Sequence, residues 1–211
     1  LGSMGGCSKA AETFGGDRVV TDDVGRQVSI PSVNNLKKVY FTSGLAEIFC
    51  FTVAPDLLGG SCSRFDKKQL EYLPESMQGL VHMGSLSSGG TIDVEALMYN
   101  DVQMVFSISG TDLTDVNVSD ATRFQDQTGI PVVLIDGSFD IIAKSYRFLG
   151  ECLGREQRAE ELAVYLEDVY KRVTDAVAKV PDDRLVTYYY AEGPEGLQTE
   201  PDASQHSLAF Q

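Results

Sequence analysis

Hydroxyls, small residues and an arginine gather at four places in the first half of this chain: Thr42-Ser43-Gly44, Ser63-Arg64-Phe65, Met83-Gly84-Ser85 and Ser107-Ile108-Ser109-Gly110. Each stretch ends a short apolar run, so each reads as the carboxyl end of a strand. Small residues leave backbone N–H groups open at such ends, and the hydroxyls add further donors. Together they suit a polar or anionic ligand, with Arg64 the one cation among them. A single Ser-Gly end is ordinary loop chemistry, whereas four on one rim describe a site. Thr42, Ser43, Ser63, Arg64, Phe65, Met83, Ser85, Ser107 and Ser109 are therefore the candidate ligand-binding residues.

Other reactive residues are sparse. The chain has two histidines, His82 and His206, too few for a three-histidine centre, so both are weak metal candidates. Cys7, Cys50, Cys62 and Cys152 make no CxxC pair or zinc-ligand spacing. Asp22-Asp23 reads as turn chemistry rather than a catalytic carboxylate pair. There is no GxSxG elbow, no GxxxxGK phosphate loop and no GxGxxG after a strand, and no enzyme is expected. Tyr188-Tyr189-Tyr190 falls in a predicted strand, Arg184–Ala191. Rings on one face of it would wall a cleft or simply pack a sheet, and Tyr189 with the following Glu192 joins the candidate site.

The elements that must position these residues alternate. Arg18–Pro31 predicts a hairpin around Asp22-Asp23-Val24-Gly25-Arg26. Predicted strands then cover Lys38–Phe41, Leu57–Ser61, Val81–Ser85, Asp101–Phe106 and Pro131–Ile135. Predicted helices cover Leu45–Val53, a stretch opening at Thr91–Leu97, Asp120–Thr128 and Ile141–Leu153. Thr91 or Asp93 caps the second of them. Strands alternating with helices imply parallel strands and right-handed crossovers, a parallel-sheet α/β sandwich. Ligands bind such sheets beyond the carboxyl ends of the strands.

Arg155–Val180 is the longest helical pattern. Leu162, Leu166, Val169, Val173, Ala176 and Val180 recur in steps of four and three and share one face. Gly154 precedes this rod and Pro181 stops it. Roughly 25 residues at 1.5 Å each span about 35 Å, the width of a small domain. The rod reads as a rigid connector between two lobes. The organisation expected is residues 1–17 as a tether, 18–154 as an N-terminal α/β lobe, 155–180 as an inter-lobe helix, and 181–211 as the start of a second, incomplete α/β lobe.

Composition bounds the partners. The 211 residues carry a formal charge of −14, with a sequence pI of about 4.4. Such a surface repels nucleic acid and anionic lipid, so neither is expected as a partner. No apolar run approaches the roughly 18 residues of a membrane span. Near the start, Gly5-Gly6-Cys7 resembles the lipoprotein signal box of bacteria, in which the cysteine is lipidated, although Met4 replaces the usual Leu or Val. Gly2-Ser3-Met4 also reads as a vector remnant. On the first reading the protein is extracytoplasmic and meets the membrane only through a lipid on Cys7.

Taken together, VTDDVGRQVSIP, KKVYFTSGLAEIF, DLLGGSCSR, TIDVEALMYNDVQMVF, TGIPVVLID, the rod and YYYAEGPEGLQTEPDASQH resemble the metal-chelate-binding lipoproteins of ABC importers. These proteins bind ferric siderophores, haem or vitamin B12, and the match covers nearly all of residues 18–206. The resemblance implies two α/β lobes hinged on the rod with the ligand held between them. It implies an ABC permease as partner, a metal chelate as cargo and no resident cofactor. It also implies one acidic docking residue per lobe, and Glu95 falls at the N-lobe position. The family continues for about 100 further residues, and its second docking glutamate falls near Gln211, which is not acidic. Two other readings remain: a nickel or cobalt binder of the same family using His82 or His206, and an α/β enzyme acting at the same rim.

Overall fold

The computed structural model of the chain describes residues 18–86, 90–111, 113–201, 204, 206 and 207. The expected tether, with Cys7, lies outside the described residues.

Strands β1 (Arg18–Thr21) and β2 (Gln27–Ile30) form the predicted antiparallel hairpin, with Val20 opposite Val28. Its turn is held by Asp22, whose carboxylate accepts from the Arg26 backbone at 2.9 Å and from its guanidinium at 2.8 and 2.9 Å. A second sheet is parallel, in the order β3 (Val39–Phe41), β4 (Met104–Ser109), β5 (Val132–Asp136). Two further strands expected from the sequence shrink to single parallel bridges. Leu58 pairs with Val39 beyond β3, and His82 pairs with Ser61 beyond that. The glycine pair Gly59-Gly60 lies between those bridges and brings no side chains with which to extend the pairing.

Read across the sheet, the order is therefore the His82 segment, Leu58–Ser61, β3, β4, β5. The chain starts in the middle, winds outward on one side, then returns to wind outward on the other. The helix after β3, α1 (Gly44–Val53), and α5 (Ile142–Leu153) cover one face. There Phe41 stacks on Phe106 at 5.0 Å and Phe49 on Tyr146 at 4.6 Å. On the other face Tyr40, Val105, Val132 and Leu134 pack against Leu97 of α3 (Val94–Tyr99) and Ala121 of α4 (Asp115–Thr128). Both faces of the strands are buried, which is why their sequences are continuous apolar runs rather than alternating ones. A four-residue helix, α2 (Lys67–Leu70), lies between the two bridge segments. The α4 helix starts five residues before the expected Asp120, because Thr114 and Asn117 form a capping box.

The rod is α6 (Glu156–Val177), which at 1.5 Å per residue is about 33 Å long. Chain contacts divide the protein inside it, between Ala163 and Val164, rather than at the helix ends. In the first unit Ala159 and Ala163 are buried, and Ala159 meets Gly150 of α5 so closely that a Cβ on Gly150 would overlap its methyl. The predicted apolar face fades along the helix. Leu162, Leu166 and Val169 are half-buried, while Val173, Ala176 and Val180 are exposed.

The second unit, from Val164 on, corrects the sequence at one point. Arg184–Ala191 forms no strand: Asp182–Arg184 is a 3₁₀ turn, Leu185 is extended, and residues 185–191 join no sheet. Apolar β-formers favour the extended conformation, but a strand exists only when a neighbour accepts its hydrogen bonds, and Val186, Tyr188 and Tyr189 are exposed here. The pairing that does occur is one antiparallel bridge between Glu192 and Gln198.

Candidate functional site

The middle of the sheet is where the winding reverses, since α1 leaves β3 on one face and α4 follows β4 on the other. Loops diverge at such a switch point and open a crevice beyond the carboxyl ends of the two strands. Thr42-Ser43 and Ser107–Ser109 stand at this point.

The structure joins these ends by hydrogen bonds. The Thr42 N–H donates to the Phe106 carbonyl at 3.0 Å. Its own carbonyl accepts from the Leu86 N–H at 2.8 Å and from the Ser85 hydroxyl at 3.1 Å. The Tyr40 hydroxyl donates to the Gly84 carbonyl at 2.5 Å, which fixes the Met83-Gly84-Ser85 loop onto β3. Gly84 has φ +88°, and a Cβ there would collide with the Thr91 carbonyl, so only glycine fits. Ser63 lies beside Gly44 at the start of α1, 3.8 Å from where a Cβ would stand. Thr42 and Ser107 line a cavity of about 140 Å³ with Asn117 and Asp120 of α4.

Several hydroxyls predicted for ligand binding are committed to the fold. Ser43 caps α1, accepting from the Ala46 N–H at 3.2 Å. Thr42 is buried, and the Ser85 hydroxyl is used within the rim. Ser109 Oγ lies 3.3 Å from Thr111 Oγ1. Met83 needs a correction: it is wholly buried and packs over Gly60 in the core, where its length and flexibility fill space that a glycine leaves. Arg64 is exposed and makes no ion pair among the described residues, while Phe65 beside it is half-buried.

Glu47 was not foreseen. In the first turn of α1 it is buried directly beneath the rim; Oε2 accepts from the Cys62 thiol at 3.0 Å, and Oε1 has no hydrogen-bond partner among the described residues. Burial, then the hydrogen bond to Glu47, pushes the Cys62 thiol up to about 12. Tyr40 is raised too, first by burial and then by Cys62 and Glu47. A lone acid in the apolar run LAEIFCF was the available signal.

The remaining candidates are apart from this rim. Glu95 is exposed in the first turn of α3, which Asp93 caps. His82 is half-buried on the outer bridge and belongs to no metal-ligating cluster among the described residues. In the second unit Tyr189 is exposed, whereas the Tyr190 hydroxyl donates to Glu192 Oε1 at 2.8 Å. Glu192, Glu200 and His206 converge, with ligand atoms all within 4.8 Å of one another. The sequence reading had Glu192 and His206 but neither their proximity nor Glu200, because the tight turn between Glu192 and Gln198 is what brings them together.

No family profile and no curated protein matches the chain. Solved structures do. An ABC transporter solute-binding protein from Sulfurospirillum deleyianum superposes with TM-score 0.75 at 22% identity, over 90% of this chain and 58% of that one. The molybdate-binding protein MolA of Haemophilus influenzae gives 0.64 at 18%, over 80% and 56%. IsdE of S. aureus, solved with haem, gives 0.53 at 20%, over 68% and 50%. This chain thus spans little more than half the length of these proteins. No helix among the described residues is long and apolar enough to cross a membrane. The chain therefore has the fold of these solute-binding proteins over the part of their length that it spans.

Proposed function

We propose that this protein captures an iron complex, such as a ferric siderophore or haem, or a related chelate such as cobalamin, outside the cytoplasm and delivers it to an ABC permease. The observation that carries the reading is the switch-point rim, tied together by Thr42, Ser85 and Tyr40, with Arg64, exposed and without an ion pair among the described residues, next to Ser63 in the chain. A cation there suits the carboxylates or phosphates that chelates carry. The likeness to a haem-bound and a molybdate-bound protein supports a metal-containing cargo. In this reading Ser63, Arg64, Phe65 and Ser107 of the first unit meet the cargo, and Tyr189 and Glu192 are the candidate cargo residues of the remainder of the chain. Glu95 docks the permease, and a lipid on Cys7 holds the protein at the membrane.

Native mass spectrometry and absorption spectra of protein taken from its host test the proposal. A bound mass with the spectrum of haem, a ferric catecholate or hydroxamate, or a corrin is expected. Protein that carries none of these, and binds none in a titration panel, would overturn the reading.

A further inference from the structure

The cluster in the second unit joins two carboxylates to one of only two imidazoles in the chain. His206 Nδ1 lies 3.3 Å from Glu200 Oε1 and 3.7 Å from Glu192 Oε1. Two ligands each about 2.1 Å from one ion can stand at most about 4.2 Å apart, and these separations would subtend roughly 100° and 120° at it. Both angles fall around the tetrahedral value, so one small ion suits His206 with either carboxylate, and the three ligand atoms all lie within 4.8 Å of one another.

The scaffold holds each group separately. Glu192 is fixed by paired backbone hydrogen bonds with Gln198, at 2.7 and 3.3 Å, across a turn in which Gly193 and Gly196 have φ +75° and +65°. The Tyr190 hydroxyl orients the Glu192 carboxylate at 2.8 Å, as an outer partner does for a metal-bound carboxylate. Thr199 Oγ1 donates to the Tyr190 carbonyl at 2.7 Å and so ties down the backbone next to Glu200. Ahead of His206, the Ser204 N–H donates to Pro201 O at 2.9 Å, and the His206 N–H donates to Ser204 Oγ at 3.2 Å. The carboxylates are only partly covered, with side chains 31% and 26% exposed, so an ion has access.

We propose that Glu192, Glu200 and His206 form a binding site for a divalent first-row transition ion, with nickel, cobalt or zinc preferred over calcium or magnesium. The imidazole decides the class, since all-oxygen sites favour the hard ions and nitrogen donors the transition metals. Solvent or a donor carried by another molecule completes the coordination. The site needs the bare ion alone and shares only Glu192 with the chelate reading.

The test is calorimetric titration of the tag-free, EDTA-treated chain with Ni²⁺, Co²⁺, Zn²⁺, Ca²⁺ and Mg²⁺ separately. One transition ion per chain is expected, with affinity falling at least tenfold in Glu200→Gln, in Glu192→Gln and in His206→Ala. His82→Ala should bind as the parent does. Visible absorption of the Co²⁺ form should change in His206→Ala, reporting loss of a nitrogen ligand. Absence of binding, binding unaltered by the three substitutions, or equal affinity for Mg²⁺ would each overturn the proposal. Chelate binding measured on Glu200→Gln and His206→Ala, neither of which the transport reading places at the cargo, separates failure here from failure of that reading.

Discussion

The Cys62 thiol donates to the Glu47 carboxylate at 3.0 Å in a pocket where the second carboxylate oxygen has no hydrogen-bond partner among the described residues. A buried acid thus rests on one weak donor, immediately below the candidate rim. Cys62→Ala should lower stability by about 1–3 kcal/mol, the cost of leaving a buried polar group unsatisfied. The same change in a Glu47→Leu background should cost less, because no carboxylate is then orphaned. Urea midpoints of the four proteins give the comparison, and equal costs in both backgrounds would show the contact to be energetically idle.

Thiol chemistry follows from the same burial. Desolvation is the largest cause holding up all three described cysteines, taking Cys62 and Cys152 from an ordinary 9.0 to about 12 and Cys50 higher still. Since the thiolate is the nucleophile, these residues should resist alkylation in the native chain at pH 8 and label rapidly in denaturant. The folded thiols keep protons that the unfolded ones release. Their contribution to stability is therefore intact below pH 9 and declines as the pH rises toward 12. Peptide-resolved labelling that found any of the three fast at pH 8 would contradict this.

Two positions on α6 separate its supported part from its exposed part. Ala159→Asp places a charge against Gly150 in a buried helix contact and should cost several kcal/mol. Val169→Asp, on the nominally apolar stripe but half-exposed, should cost about 1 kcal/mol or less. Thermal melts of both variants check the contrast, and similar losses would mean that the stripe is uniformly buried.

Arg64 bears on cargo rather than on folding. Because it is exposed and makes no ion pair among the described residues, Arg64→Ala should leave the melting temperature unchanged. On the proposed function it should weaken an anionic chelate roughly tenfold, about 1.4 kcal/mol. Titration of one ferric siderophore into both proteins decides it, and equal affinity would remove Arg64 from the site.

Much of the first unit was legible because its signals are local. Apolar runs gave β3, β4 and β5, the Asp/Gly turn gave the hairpin, and Gly154 and Pro181 bracketed the rod. The rim was legible as a set of strand ends, but not in the disposition of its groups. A hydroxyl on a sequence does not say whether it will cap a helix, as Ser43 does, or bond a neighbouring loop, as Ser85 does. Met83 was misplaced because a residue's position along a strand end does not reveal which way its side chain turns. Arg184–Ala191 has the composition of a strand, but strand formation depends on a partner that no local pattern can supply.

The hairpin turn at Asp22-Asp23 has a bearing on self-association. The outer edge of β5 offers its Leu134 and Asp136 N–H groups to the carboxylates of Asp22, at 3.4 Å, and Asp23, at 3.0 Å, while the Leu134 carbonyl accepts from the Asp23 N–H at 3.1 Å. Side chains therefore occupy hydrogen-bonding places that a strand of another molecule would otherwise fill, and they add negative charge where an incoming backbone would approach. An open parallel sheet is a template for polymerisation at its margins. Here that margin is sealed by a five-residue turn, and Lys144, paired with Asp23 at 3.0 Å, secures the seal from the side of α5.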